Sequence, residues 1–336
     1  MLNFFKLLFF SSMLFGTLIA ISSYSWLSMW IGLEINLLSI IPLLTTSKNI
    51  YPAEAALKYF ITQALASSIL LFSIILSLNL KEIFLENTSL YSLLFNTALL
   101  IKVGAAPFHS WFPEVLEGLN WMNCFIMLTW QKIAPMILIF YNFNTSLFFL
   151  YIILFSSIVG SILGLNQISL RKIMAYSSIN HIGWMLASMF YNQMIWLIYF
   201  LIYSIINFNI IIIFQKFQLF FLFQLFNLLN FSKTLKFSFL LNFFSLGGLP
   251  PFLGFFPKWL VINNLICSQF YFLSILLIIF TLITLFFYLR ITFMILVINS
   301  HETLTFSSNK LNFFMFFINF ITLSGLLICT LILNFV

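Results

Sequence analysis

Five charged side chains, Glu34, Lys58, Lys102, Lys132 and Lys258, stand near the middle of otherwise unbroken apolar runs. One acid and four lysines in such surroundings suit the movement of protons or small cations. A buried lysine can exist charged or neutral, whereas arginine stays charged. The placement is expensive. On insertion scales a charge at the centre of a membrane helix costs about 2.5 to 3.5 kcal/mol, so five cost about 12 to 18 kcal/mol unless paired, hydrated or neutralised. Snorkelling to the surface serves Lys81 and Arg290, near the ends of their runs, but not Lys132, about 12 residues from either end of its own.

Local sequence suggests how each group is held. Glu34 lies at the midpoint of GLEINLLSIIPLL and is the only acid deep in an apolar run, so a Glu34–Lys58 ion pair is the first contact expected. In EAALKYFITQALASS, Lys58 shares a helix face with Thr62 and Ala66, a small and polar stripe that lets a neighbour or water approach. In MLTWQKIAP, Pro135 frees the carbonyl of Gln131; with the Gln131 and Thr129 side chains it would hold water against Lys132. His181 shares a face with Ser177 one turn earlier, which makes it either a proton step or a buried, satisfied histidine. His109 carries the same two readings, His301 reads as a loop residue, and Glu114 and Glu117 are placed at the inner surface.

The elements that position these groups are membrane helices. Apolar residues make up 63% of the 336-residue chain and charged residues 6%, far from the composition of a soluble domain. Breaks at charged or turn-rich patches predict an all-α polytopic membrane protein of about eleven spans: 3–21, 24–45, 53–80, 88–118, 120–143, 147–165, 169–190, 193–215, 237–266, 272–297 and 312–334. Alternating them puts Lys6, Lys48, Arg171, Lys172, Lys216, Lys233, Lys236 and Lys310 on the side of the N-terminus and Lys81 on the other. The positive-inside rule then places the N-terminus inside and the C-terminus outside. No removable leader is expected. The net charge of +7 follows from topology, which argues against a nucleic-acid partner.

Two of the spans are broken. LIKVGAAPFHSWFPEV (100–115) contains Gly104, Pro107 and Pro113, and SLGGLPPFLGFFPKW (245–259) contains Gly247, Gly248, Pro250, Pro251, Gly254 and Pro257. Backbone groups freed at such breaks must be buried in protein or meet water. The two spans are five apart, so they run in opposite directions, as in an inverted five-helix repeat with halves at about 1–143 and 147–297, all in one transmembrane domain (1–336). Cys124, Cys267 and Cys329 lie far apart in apolar runs, which disfavours zinc or an iron-sulfur cluster, and no glycine-rich nucleotide motif follows a strand. The 47 phenylalanines and the absence of aspartate suggest AT-rich coding, from an organelle or an AT-rich bacterium.

In this order GLEINLLSIIPL, EAALKYFITQA, the Lys102 to Pro113 stretch, TWQKIAP, LRKIMAYSSINH and GGLPPFLGFFPKW resemble the subunit 2 family of mitochondrial NADH dehydrogenase, complex I, an antiporter-like family. The resemblance covers most of residues 30–260 and implies a proton-translocating membrane-arm subunit of the inner mitochondrial membrane, N-terminus in the matrix. It makes Glu34 and Lys58 a charged pair near the coupling side, Lys102 the protonatable residue of the first broken helix, Lys132 the bridge and Lys258 the terminal lysine, with His181 on the connecting chain. It places NADH, flavin, iron-sulfur clusters and ubiquinone in other subunits, leaving no cofactor here, and makes subunits 4 and 4L, the lateral helix of subunit 5, and lipids the neighbours. The residues themselves leave a stand-alone cation/proton antiporter and a structural spacer as alternatives.

Overall fold

The computed structural model describes residues 2–45, 50–83, 88–143, 146–190, 192–225, 233–297, 319–320 and 324–325. Lys48, His301 and Lys310, and nearly all of the expected last span 312–334, lie outside the described residues. Described structure is helical, apart from turns and one isolated bridge between Ser169 and Phe221.

The chain forms two compact units, Met1–Ile152 and Ile153–Val336. The first holds α1 (Leu2–Ser22), α2 (Trp26–Leu44), α3 (Ile50–Ile83), α4 (Thr88–Val103), α5 (Trp111–Gly118), α6 (Trp121–Leu128) and α7 (Trp130–Tyr141). Ser25 caps α2, its Oγ accepting from Ser28 N–H at 3.2 Å. Helix α1 packs closely on α2 because Gly16 has no side chain: a Cβ there would stand 2.8 Å from the Asn36 nitrogen. Helix α3 packs on α2, α4 and α5, and α7 on α1, α4 and α6, so α4 and α5 are held by continuous neighbours.

Helix α8 (Ser146–Leu165) crosses the boundary between units, and the second unit continues with α9 (Leu170–Met189), α10 (Gln193–Phe217), α11 (Lys233–Gly247), α12 (Phe255–Cys267) and α13 (Tyr271–Val297). Helix α9 touches α10, α12 and α13 and is buried on every side from Ser177 to Met189, polar residues included. Arg290 of α13 donates to the carbonyls of Leu165 and Gln167 at 2.6 and 3.0 Å, a cationic cap on the end of α8.

Seven described helices are long and apolar enough to cross a membrane: Phe4–Ser22, Trp26–Leu44, Ile50–Leu78, Trp121–Tyr141, Leu147–Leu165, Gln193–Phe217 and Tyr271–Phe293. The stretches expected as spans 88–118 and 237–266 are instead pairs of shorter helices, α4 with α5 and α11 with α12, each parted at its glycine and prolines. Large apolar side chains such as Phe15, Leu57, Ile75 and Leu282 are exposed on the outer faces, as a lipid-facing surface requires. The chain is a multi-pass helical membrane protein.

Candidate functional site

The first break begins where Gly104 takes φ 79°, a left-handed conformation that glycine adopts without steric penalty. The N–H groups of Gly104 and Ala105 both turn back to the Leu100 carbonyl at 3.0 and 3.1 Å, ending α4 with a glycine cap, and no helix resumes until Trp111. Two carbonyls of the last turn find side-chain donors. The Trp111 indole donates to Ile101 O at 3.2 Å, and the Gln63 amide reaches Lys102 O at 3.5 Å.

The Lys102 side chain is buried and lines a cavity of about 10 Å³, roughly one water, with Asn36, Tyr59, Gln63 and Gln131. Asn36 and Gln131 exchange two amide hydrogen bonds of 3.0 Å, and the Tyr59 hydroxyl donates to Gln131 Oε1 at 3.3 Å. Glu34 is half-buried on α2, the helix that also supplies Asn36.

This placement corrects the expected Glu34–Lys58 pair. Lys58 Nζ lies 3.0 Å from both Glu54 and Glu114, with its side chain 43% exposed. Glu54 is one turn back on the same helix, the ordinary i, i+4 partner, and the short helix α5 brings Glu114 to the other side. A lysine eight residues into α3 finds nearer acids than one on α2.

Lys132 sits just past an unexpected break. Thr129, at φ −118° and ψ −74°, separates α6 from α7, and Lys132 N–H bonds to Thr129 O at 3.1 Å. The side chain is 1% exposed, and its Nζ stands 5.2 Å from the centre of the Phe112 ring, within reach of a cation–π interaction. The groups expected to hold water against it are engaged elsewhere: Gln131 with Asn36 and Tyr59, and Thr129 Oγ1 with Phe125 O at 2.7 Å. The chain bends before Lys132, which turns these two side chains to other partners.

The second break repeats the first in backbone. Gly248 has φ 77°, and the N–H groups of Gly248 and Leu249 turn back to Phe244 O at 3.1 and 3.3 Å. Here the donor to the freed carbonyls is a lysine. Lys258 Nζ donates to Gly247 O at 2.9 Å and Leu246 O at 3.3 Å, and stands 5.9 Å from the Trp184 ring centre. A cation at the end of a helix also meets the negative pole of its dipole.

The hydroxyl of Ser177, one turn before His181 on α9, donates to Met174 O at 2.8 Å; an i−3 carbonyl is the nearest acceptor for a helical serine. The Nδ1 of His181 shares a 2.8 Å hydrogen bond with the Tyr199 hydroxyl. Asn36, Tyr59 and Tyr199 are thus polar groups of the site to which the sequence motifs did not point, whereas Gln131 was expected beside Lys132 and bonds to Asn36 and Tyr59. For Tyr199 a signal existed: Tyr199, Tyr203 and Asn207 recur every four residues on one face of an apolar helix. His109 is half-buried in the first break, its Nδ1 3.2 Å from Pro107 O.

Residues 23–284 match the family described as NADH:quinone oxidoreductase/Mrp antiporter, transmembrane. NADH-ubiquinone oxidoreductase chain 2 of Anopheles gambiae is 50% identical over 334 residues, covering 97% of each chain. That of Aedes aegypti is 52% identical over 332 residues with the same coverage. Among solved structures, a chain of respiratory complex I from Thermus thermophilus with bound aureothin aligns with 96% of this chain and 78% of its own length. The TM-score is 0.84 at 23% identity, a likeness of fold. The chain belongs to the NADH-ubiquinone oxidoreductase chain 2 family.

Proposed function

We propose that this chain moves protons across the inner mitochondrial membrane as a membrane-arm subunit of NADH:ubiquinone oxidoreductase. The energy comes from quinone reduction in other subunits, which also carry the NADH, flavin and iron-sulfur sites. One observation carries the reading: buried lysines stand at both of the glycine-capped helix ends, where backbone carbonyls are released inside the membrane. We take the broken helices as counterparts in an inverted five-helix repeat within an eleven-span chain. The N-terminus then lies in the matrix, the C-terminus in the intermembrane space, and the gene in the organelle. Subunits 4 and 4L, the lateral helix of subunit 5, and lipids are the proposed neighbours.

In this mechanism a changed field at Glu34 alters the proton affinity of Lys102. Lys132 then receives the proton, and Lys258 is the terminal carrier. Moving one charge against 100 mV requires about 2.3 kcal/mol. A change of about two pKa units supplies that, at about 1.36 kcal/mol each. Lys58, held by two carboxylates at a half-exposed position, contributes local charge at the coupling side.

The test is Lys132→Met in the assembled complex, with NADH-driven quinone reduction and proton translocation measured side by side. Both should collapse while assembly stays normal. Full rates in both would make the chain a spacer and overturn the proposal.

A further inference from the structure

The second unit contains a polar constellation that the lysines alone do not explain. His181 and Tyr199 share a 2.8 Å hydrogen bond. Both line a cavity of about 10 Å³ with Tyr203, Ser245, Leu246, Gly254 and Pro257, at the unwound stretch of the second broken helix. One water fills such a space, and it needs polar partners to stay there. Tyr199, Ser245 and Leu246 are the lining residues that bring two hydroxyls and a backbone carbonyl to this part of the fold. The Leu246 carbonyl is also one of the two acceptors of the Lys258 ammonium. Leu246 therefore belongs to the cavity wall and also supplies an acceptor for the lysine.

We propose that the Tyr199 hydroxyl and one water in this cavity relay protons between His181 and Lys258. The inference rests on the proton-transfer function proposed above and adds a carrier to it. The hydroxyl works without ionising. The Nδ1–H bond of protonated His181 breaks as its proton joins the Tyr199 oxygen, and the hydroxyl's own proton passes to the cavity water. The water then gives a proton to the neutral amine of Lys258. At the tyrosine and water oxygens one O–H bond forms as another breaks, while Nδ1 loses a proton and the Lys258 nitrogen gains one; His181 loses the charge, Lys258 gains it, and tyrosine and water end neutral. The hydroxyl then turns back toward Nδ1 before the next transfer. The Leu246 and Gly247 carbonyls receive the new ammonium with hydrogen bonds at the helix end. Tyr199 is held for this task by burial on all sides, its ring packed 6.0 Å from the His181 ring.

Tyr199→Phe removes one oxygen atom and keeps the ring. In the assembled complex, quinone reduction and proton translocation should both fall about a hundredfold, the low end of what a positioned proton-transfer group contributes. The ratio of rates in H₂O and D₂O should rise, because proton transfer becomes limiting; a packing role would leave that ratio unchanged. Should Tyr199→Phe fail to assemble, Ile206→Phe narrows the same cavity from its apolar wall and should give the same loss and the same isotope effect. Full rates with an unchanged isotope ratio in the variant that assembles overturn the relay. That result leaves the proton-transfer function standing if Lys132→Met still abolishes pumping; if Lys132→Met pumps at full rate, both readings fall.

Discussion

The two broken helices share a backbone and differ in what closes it. Residues 104–114, GAAPFHSWFPE, align without gaps on 248–258, GLPPFLGFFPK, with glycine, proline, phenylalanine, phenylalanine and proline at five common positions. Both segments open with a glycine near φ +78° and a doubly used carbonyl four and five residues back. At the last aligned position the first has Glu114 and the second Lys258. In the first, a neutral indole from Trp111 fills a freed carbonyl, and the lysine, Lys102, lies on α4 facing a cavity. In the second, the lysine is itself the cap. The same fold device therefore serves two chemistries. A permanent donor closes the first helix end without its lysine, whereas at the second the ammonium of Lys258 is the donor.

Paired substitutions break this comparison most sharply at the glycines. Alanine at either left-handed position costs about 1 to 2 kcal/mol in backbone strain. At Gly248 the new Cβ would also lie 2.8 and 2.9 Å from Lys258 Cδ and Nζ, whereas at Gly104 it would meet Phe112 Cβ at 3.3 Å. Gly248→Ala should therefore abolish proton translocation in assembled complex, and Gly104→Ala should lower it only partly. Equal effects would mean the glycines matter for strain alone.

A smaller effect is expected at the neutral cap. Trp111→Phe removes the indole donor from Ile101 O, which keeps the Gly104 N–H at 3.2 Å, so the loss is that of one ordinary hydrogen bond, about 0.5 to 1.5 kcal/mol. Thermal stability of the complex should fall while pumping per quinone reduced is kept; loss of that ratio would give Trp111 a role in transfer. The smallest change belongs to Lys58→Ala. Its pairs with Glu54 and Glu114 are open to solvent and screened, so heat inactivation of the complex should barely move.

Much of this was legible in the sequence, for reasons that are local. Apolar runs of about 20 residues mark the helices, and glycine with proline marks both breaks, because those residues act on their own backbone. The break at Thr129 escaped notice because no glycine or proline stands there; Pro135, six residues on, perturbs the turn that precedes it. Partners across helices were illegible for a different reason. Spacing along one helix reports that helix's own face, so it could have shown Glu54 beside Lys58 but not Gln131 on Asn36 or Tyr199 on His181.

The most direct measurement is proton translocation by assembled complex carrying Lys258→Arg. Arginine keeps the positive charge and the donors for Gly247 and Leu246 but does not release a proton. The account predicts normal assembly with translocation and quinone reduction lost together. Translocation at the full rate would show that Lys258 serves only as a charged cap, and would contradict its place as a proton carrier.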